Sequence, residues 1–187
     1  GYSRAVLMDD TLYVSGTTAR DPDGNVVAPG DQYTQTRVCF DIIGAAMEEA
    51  GVPLTDIYTK TVVTDMAKSS EQREAKLEAL GDDIRPTGTL LGILALIGPE
   101  TAIEIKAEAN LGAASARKNL YTANEREKAR GYARAFAVGD LVHVYGCTFV
   151  AYGRCLVARR LGRTGRLVPR TCPTGAGDGR RQIGRCS

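Results

Sequence analysis

The sequence has no tryptophan and only one histidine, His143, among its 187 residues. Its five cysteines include no pair at CxxC spacing. Because zinc needs several cysteine, histidine or carboxylate ligands at short spacings, this inventory argues against a zinc site. Cys39 falls in a helical pattern, where we predict a small buried apolar residue. The lack of a cysteine framework favours a reducing, cytoplasmic compartment.

Long hydrophobic runs are also missing, and none approaches the roughly 18 to 20 residues of a membrane-spanning helix. No membrane partner is therefore predicted. Positive charge is unevenly distributed, because residues 152–187 contain nine Arg, no Lys and a single acid, Asp178. Such a tail can indicate nucleic-acid binding, but it lacks interleaved aromatic residues for base stacking. A GC-rich gene read out of frame gives the same composition, so nucleic acid is disfavoured as a partner.

The chain contains one opening motif twice, 130 residues apart. The first reads Gly1-Tyr2-Ser3-Arg4-Ala5 and the second reads Gly131-Tyr132-Ala133-Arg134-Ala135. The match continues without a gap and ends near Ala151. Self-similarity at a fixed offset marks repeated structural units. We therefore predict a complete domain over residues 1–112, a polar linker over 113–130, the start of a second copy over 131–150, and an out-of-frame or disordered tail over 151–187.

Apolar periodicity and turn residues predict the elements of the first domain. The predicted strands cover residues 4–8, 11–15, 57–64, 89–97 and 102–109, with a further short strand at 26–27. One predicted helix covers 31–50 with Asp31 as its N-cap, and a second covers 69–80 with a capping box at Ser69. The apolar density of residues 89–97 predicts an interior strand. The element order indicates an α+β domain, a mixed β-sheet packed by two helices.

Three segments, in this order and spacing, resemble one family: Gly1–Ala5 with Leu12–Gly16, then Ala50-Gly51 at the end of the long helix, then Arg85-Pro86 through Ala107. They resemble the Rid family, the reactive intermediate deaminases, also called YjgF-type or endoribonuclease L-PSP-like proteins. The resemblance covers residues 1–112 and returns over 131–150. It implies a chorismate-mutase-like fold, a homotrimer, and ligand clefts between subunits.

Archetypal members hydrolyse reactive enamines and imines to 2-oxo acids and ammonia without a metal, so the resemblance implies no cofactor. In those members an arginine shortly after a proline grips the substrate carboxylate through a bidentate ion pair. A glutamate on the last strand positions water for attack on the imine carbon. Glu104 matches that glutamate and is the predicted catalytic residue, whereas Gly88 stands where the arginine belongs.

The other predicted ligand-binding residues also follow from the resemblance or lie beside Gly88. Tyr2 matches the pocket tyrosine of the family, and Ser15-Gly16 match a loop whose backbone lines the cleft. Thr87 and Thr89 flank Gly88, and their hydroxyl groups can hydrogen-bond a polar ligand.

Whether the protein is an enzyme stays open at this point. One hypothesis is a protein that binds a small carbonyl- or carboxylate-bearing metabolite without the archetypal activity, because Gly88 carries no charge. A second is a divergent imine or enamine deaminase in which Glu104 positions water. RNA cleavage is a third, suggested only by the older family name, and the acidic first domain disfavours it because phosphate binding needs clustered Lys and Arg.

Overall fold

The computed structural model describes residues 1–54, 57–81, 86–111, 117–122, 127, 130, 132–139, 141–144 and 146. They belong to one compact unit, Gly1–Gly146, and the second unit, Cys147–Ser187, lies outside the described residues. The nature of the tail over 151–187 therefore stays a prediction. Within the described part of the chain, no helix has the length and apolar character needed to cross a membrane.

The first 111 residues form the predicted α+β fold, a mixed five-stranded sheet with two helices. The elements are β1 (Ala5–Met8), β2 (Thr11–Thr17), α1 (Gln32–Glu49), β3 (Ile57–Val63), α2 (Ser69–Leu80), β4 (Gly88–Gly92) and β5 (Ile103–Asn110). The strand order is β1–β2–β5–β3–β4. Only β4 runs parallel to its neighbour, β3, and the other pairs are antiparallel.

The two sides of this sheet differ in chemistry because successive strand residues point to opposite sides. The helix side carries the apolar core, which includes Leu12, Val14, Phe40, Ile43, Met47, Ile57, Val63, Ile103 and Ile105. The opposite side, here called the polar side, carries Tyr58 and Lys60 of β3 opposite Glu108 and Lys106 of β5. Burial of the apolar core therefore fixes which side of the sheet remains available for polar contacts.

Helix α1 begins and ends where the sequence predicts. Asp31 accepts hydrogen bonds from the Thr34 backbone N–H at 3.0 Å and the Thr34 hydroxyl at 2.7 Å. These bonds favour the charged carboxylate and hold the pKa of Asp31 below its ordinary value. The helix ends at Glu49 with Ala50 as its C-cap, and Gly51 follows with a φ of +69°, which suits a residue without a Cβ.

The predicted interior strand over residues 89–97 is wrong in length and position. β4 ends at Gly92 and forms an edge of the sheet. Leu94 is fully exposed, at 103%, and Ile97 is 85% exposed. The apolar run therefore reflects a strand followed by an exposed loop, and apolar density alone did not distinguish the two.

Two smaller expectations also fail. The strand predicted at residues 26–27 is reduced to a single bridge between Arg20 and Val26. The predicted capping box at Ser69 does not form, because a 3₁₀ turn over Met66–Lys68 leads directly into α2. Asp65 caps that turn instead, accepting a hydrogen bond from the Ala67 N–H at 2.8 Å.

A second, three-stranded antiparallel sheet follows, made of β6 (Lys118–Leu120), β7 (Ala135–Val138) and β8 (Leu141–Val144). β6 lies within the stretch predicted as a polar linker. The β7–β8 hairpin has the same register as β1–β2 at an offset of 130, since Ala5 pairs with Val14 and Ala135 with Val144. The turns also correspond, with φ of 52° at Asp9 and 54° at Gly139.

The β7–β8 hairpin packs on the polar side of the large sheet through an aromatic cluster. The Tyr58 ring centroid lies 5.3 Å from that of Phe136 and 4.8 Å from that of His143. Phe136 and His143 are stacked at 4.6 Å, and the Arg117 guanidinium lies 4.3 Å from the Phe136 ring centroid. Both Tyr58 and Phe136 are buried, so this contact covers part of the polar side within one chain.

Candidate functional site

The predicted catalytic residue, Glu104, lies on β5 beside an irregularity in β2. The register of β2 against β5 shifts between Val14 and Thr17, which places Gly16 against the Glu104 side chain. A methyl group on Gly16 would overlap Glu104 Oε1 and lie 3.0 Å from Cδ. Glycine is therefore required at residue 16 for the carboxylate to occupy this position.

Arg4 links the N-terminal segment to the irregular part of β2. Its Nη1 donates to Thr17 Oγ1 at 3.3 Å and its Nη2 donates to the Tyr2 hydroxyl at 3.1 Å. Ser15 Oγ donates to the Ser3 carbonyl at 2.8 Å, which holds the opening segment against β2. We call Tyr2, Arg4, Ser15, Gly16 and Glu104 the glutamate half-site, because the structure brings these residues to one region.

Polar groups of the glutamate half-site remain available for a ligand. Neither Glu104 nor Arg4 forms an ion pair with another described residue. Tyr2 is 75% exposed, so its ring does not form the wall of a closed pocket with the described residues. The half-buried Glu104 carboxylate and the exposed Arg4 guanidinium thus carry charges that no described residue neutralises, and Arg4 also donates to Thr17 and to the Tyr2 hydroxyl.

Cys39 lies beneath this half-site on α1 and is fully buried, as predicted from the sequence. Its Sγ donates to the Thr17 carbonyl at 3.3 Å. Burial, with a further contribution from the Glu104 charge, raises the pKa of Cys39 to about 12. The side chain is therefore a neutral thiol at physiological pH and is not an activated nucleophile.

The other predicted ligand-binding residues, Thr87, Gly88 and Thr89, lie at the start of β4. Thr87 is fully buried, and its Oγ1 has no hydrogen-bonding partner among the described residues. A Cβ on Gly88 would point at Thr59, 3.1 Å from its Oγ1 and 3.3 Å from its carbonyl oxygen. Since Thr59 is on the helix side, alternation puts Thr87 and Thr89 on the polar side.

Lys60 lies beside Thr89 on the polar side, because the two residues are partners in the β3–β4 register. It is exposed and forms no ion pair with a described residue. Its partner on β5, Lys106, is by contrast paired with Glu108 at 2.7 Å. We call Lys60, Thr87, Gly88 and Thr89 the threonine half-site.

The two half-sites are separate within one copy of the fold. Glu104 pairs with Val62 and Thr89 pairs with Lys60, so strand spacing places the two Cα atoms about 12 Å apart. The Glu104 side chain also points toward β2, away from β4. The seven residues predicted from the sequence therefore do not form one pocket in a single fold.

The segment that follows β8 brings Gly146 to the threonine half-site. An ideal Cβ on Gly146 would lie 2.8 Å from Thr89 Oγ1 and Cγ2, so the backbone of Gly146 packs directly on Thr89. Gly146 corresponds to Gly16 at the offset of 130. The threonine half-site thus lies against Gly146, in the second copy of the opening segment. In the first copy, the same segment carries the glutamate half-site.

Arg134, which corresponds to Arg4, holds this second segment together. Its Nη1 donates to the Gly146 carbonyl at 3.4 Å, and its Nη2 forms an ion pair with Glu127 Oε1 at 2.9 Å. Glu127 is fully buried. Burial raises the pKa of Glu127, but hydrogen bonds from Thr122 and Arg134 outweigh burial and leave the pKa below its ordinary value.

Comparison with known proteins agrees with this architecture. The sequence pattern of the family described as Endoribonuclease L-PSP matches residues 1–111. The chain belongs to this family. A YjgF/YER057c/UK114 family member from Mycobacterium tuberculosis is 34% identical with a TM-score of 0.52, over 59% of this chain and 86% of that protein.

Two further relatives support the same assignment. A Rid family protein of unknown function from Yersinia pestis is 28% identical with a TM-score of 0.55, over 59% of this chain and 87% of that protein. An uncharacterized protein from Streptomyces coelicolor is 30% identical over 113 residues, 60% of this chain and 84% of its own length. The L-PSP family match lies within the first fold.

Sequence reasoning did not identify Arg4, Lys60, Arg134 or Gly146 as candidate site residues. Arg4 and Arg134 could have been found, because both occupy the same position of the repeated opening motif. Gly146 corresponds to Gly16 and could have been found in the same way. Lys60 gave no signal in the sequence, since its position beside Thr89 depends on the β3–β4 register.

Proposed function

We propose that this protein binds a small carbonyl- or carboxylate-bearing metabolite at the threonine half-site, in a cleft completed by an opening segment such as Tyr2–Gly16 or Tyr132–Gly146. The single observation that carries this proposal is the buried Thr87 hydroxyl, which has no hydrogen-bonding partner among the described residues. Gly88 carries no charged side chain where the family resemblance places the substrate-gripping arginine, which supports binding without hydrolysis.

A homotrimer is the assembly that membership of the L-PSP family suggests for the first fold. In such an assembly the cleft lies between subunits, so that the glutamate half-site of one chain meets the threonine half-site of another. The distance between the half-sites supports this proposal, because a ligand touching both needs two copies of the fold. No cofactor is proposed, and among the described residues no cluster of His, Cys, Asp and Glu has the geometry of a metal site.

Imine or enamine hydrolysis is a second candidate, favoured by the unpaired state of Glu104. A carboxylate without an ion pair can accept a proton from water, and Arg4 lies in the same half-site to hold an anionic group. This reaction requires the glutamate half-site to be completed by Thr87 and Thr89 of another copy. Gly88 offers only its backbone N–H in place of the family arginine.

RNA cleavage is the least supported candidate, although the family name includes endoribonuclease. Residues 1–112 contain eighteen Asp and Glu against nine Lys and Arg, which repels a phosphate backbone. The only histidine of the chain, His143, lies outside this domain. Its ring stacks on Phe136 at 4.6 Å and packs against Tyr58 at 4.8 Å.

Calorimetric titration of the full chain with 2-oxobutyrate, together with an imine-hydrolysis assay, tests the proposal. We expect binding, and no formation of 2-oxo acid above the uncatalysed rate. Thr87→Val should weaken binding by roughly fivefold, because a lost neutral hydrogen bond costs about 1 kcal/mol. Thr87→Ser retains the hydroxyl and serves as the matched control.

Three results would count against this assignment. Hydrolysis that Glu104→Gln abolishes would replace binding by the deaminase reaction. An absence of 2-oxobutyrate binding, or equal affinities of the Thr87→Val variant and the unmodified chain, would remove the threonine half-site from the proposal.

A further inference from the structure

The outer edge of the repeated hairpin is covered in one copy and open in the other. In the second sheet β7 is the middle strand, with β8 on one side and β6 on the other. In the first sheet β1, which corresponds to β7 at the offset of 130, is an edge strand that pairs only with β2. The edge of β1 that corresponds to the β6 side of β7 is therefore unpaired among the described strands.

The residues of β1 suit the addition of a further strand. Val6, Leu7 and Met8 are each at least half exposed, whereas Ala135 and Phe136 of β7 are buried. β1 also has no charged residue and no proline, the features that commonly protect an edge strand from pairing with another chain. An unprotected apolar edge of this kind favours binding of an extended peptide by strand addition.

The arginine in front of each of these strands is held in the same way. The Arg4 guanidinium lies 5.5 Å from the Tyr2 ring centroid, and the Arg134 guanidinium lies 5.6 Å from that of Tyr132. Each arginine also donates through Nη2 to the hydroxyl of that tyrosine, at 3.1 Å in the first copy and 3.5 Å in the second. The contacts of Arg134 therefore indicate what Arg4 can bind.

In the second copy this arginine binds a carboxylate from the segment that covers the strand edge. Nε and Nη2 of Arg134 both donate to Glu127 Oε1 at 2.9 Å. The N–H and the hydroxyl of Thr122 also donate to the Glu127 carboxylate, each at 2.7 Å. The Arg134 N–H donates to the Leu120 carbonyl at 3.0 Å. One segment thus supplies both a strand to β7 and a carboxylate to its arginine.

Arg4 lacks the corresponding contacts. It forms no ion pair with a described residue, and no described backbone carbonyl accepts from its N–H. Its Nη1 and Nη2 donate to Thr17 and Tyr2, which leaves the Nε side of the guanidinium for a carboxylate. The open strand edge and the unneutralised arginine therefore lie next to each other in the first fold.

We propose that the outer edge of β1 and Arg4 form a docking site for an extended segment of another polypeptide chain, with the pattern of residues 118–127. That pattern is a short strand followed by a threonine and then a glutamate. The strand pairs with β1 antiparallel, and the glutamate binds Arg4. In the register of β6 on β7, the residue equivalent to Asn119 lies opposite Val6. The site is independent of the metabolite binding proposed above.

Two kinds of contact favour this partner over an unrelated strand. Backbone pairing with β1 covers exposed apolar side chains and supplies affinity for many extended segments. The ion pair with Arg4 is charge-assisted and directional, so it favours a segment whose carboxylate reaches the start of β1. Fixing both contacts at once also sets the register of the added strand.

A synthetic peptide of residues 117–130, acetylated and amidated at its ends, tests the docking site by fluorescence anisotropy with the full chain. We expect saturable binding. Glu127→Gln in the peptide should weaken binding by at least about tenfold, because a hydrogen-bonded charge pair is lost. Glu125→Gln makes the same change of charge and should leave the affinity nearly unchanged. In the Arg4→Gln chain, the unmodified and Glu127→Gln peptides should bind equally, since the partner of the carboxylate is missing.

Hydrogen exchange locates the bound peptide. Saturating peptide should slow exchange at the β1 amides, because the added strand supplies acceptors to the outer edge. β4, the opposite edge of the same sheet, is the internal control and should exchange at an unchanged rate. This measurement needs no variant of the protein.

Several results would overturn the inference. They are an absence of saturable peptide binding, equal affinities of the Glu127→Gln and Glu125→Gln peptides for the unmodified chain, and slowed exchange at β4 in place of β1. A loss of affinity on Glu127→Gln that persists in the Arg4→Gln chain would move the carboxylate contact to another residue and overturn the role of Arg4. None of these results bears on the titration with 2-oxobutyrate, so the proposed function is tested separately.

Discussion

The glycines of this fold differ in what a side chain would meet at each position. At Gly16 a methyl group would overlap the end of the Glu104 side chain, which can rotate away. At Gly88 it would meet the carbonyl oxygen of Thr59 at 3.3 Å, which belongs to a paired strand and cannot move freely. Gly44, in α1, has nothing within 4 Å.

We therefore predict three different effects of Gly→Ala on the free energy of unfolding, measured by urea denaturation. Gly16→Ala should be nearly neutral, because only the Glu104 carboxylate moves. Gly88→Ala should cost about 1 to 2 kcal/mol, as expected for overpacking against a fixed neighbour. Gly44→Ala, the control, should stabilise by about 0.5 to 1 kcal/mol. Equal losses for Gly16→Ala and Gly88→Ala would contradict this distinction.

At the scale of elements, the contact between the β7–β8 hairpin and the large sheet depends on a neutral histidine. His143 stacks on Phe136 and packs against Tyr58, and its Nε2 is buried without a partner among the described residues. Burial lowers the pKa of His143 below 6.5, with an opposing contribution from Glu108 and a supporting one from Arg117. Protonation therefore disfavours the packed hairpin.

The hairpin contact should weaken in acid. Because the folded-state pKa of His143 lies below the unfolded value of 6.5, the unfolded form binds more protons, and stability falls as the pH decreases below 6.5. Hydrogen exchange at the β7 amides should accelerate between pH 7 and pH 5 after correction for intrinsic rates. His143→Phe keeps the stacking and should remove this acceleration, and the same acceleration in both proteins would contradict the prediction.

At the scale of the whole molecule, the assembly depends on which chain covers Tyr58. The β1–β2 hairpin has the register of β7–β8, and its Val6, which corresponds to Phe136, is 53% exposed. The β1–β2 hairpin of a neighbouring chain could contact Tyr58 only if no other segment covered Tyr58. In this chain the region already carries its own hairpin.

Coverage of Tyr58 by the chain's own hairpin predicts that Phe136→Ala raises the fraction of trimer above that of the unmodified chain, measured by analytical ultracentrifugation at equal protein concentration. The reason is that Phe136→Ala weakens the hairpin contact, which competes with contacts from a neighbouring chain for the same Tyr58 surface. Equal trimer fractions of the two proteins would contradict the prediction.

The sequence predicted the fold more completely than the site. The α+β class, the long helix with its Asp31 cap and the burial of Cys39 are confirmed, because each depends on local periodicity or on a residue and its near neighbours. The edge position of β4 was missed, because strand order is a non-local property. The roles predicted for Tyr2, Ser15, Gly16, Thr87, Gly88, Thr89 and Glu104 remain predictions.

What the sequence determined by itself is the α+β class of the first domain, from periodicity and turn residues, and the repeated opening motif, from its fixed offset. The family followed from the resemblance of three motif segments in their order along the chain. Only the tertiary structure decided that Glu104 and Thr89 belong to separate half-sites, that Lys60 stands beside Thr89, and that Gly146 meets Thr89. Those relations depend on strand register and on packing between residues far apart in sequence. A shift of one residue in the pairing register of a strand would move its side chains to the opposite side of the sheet.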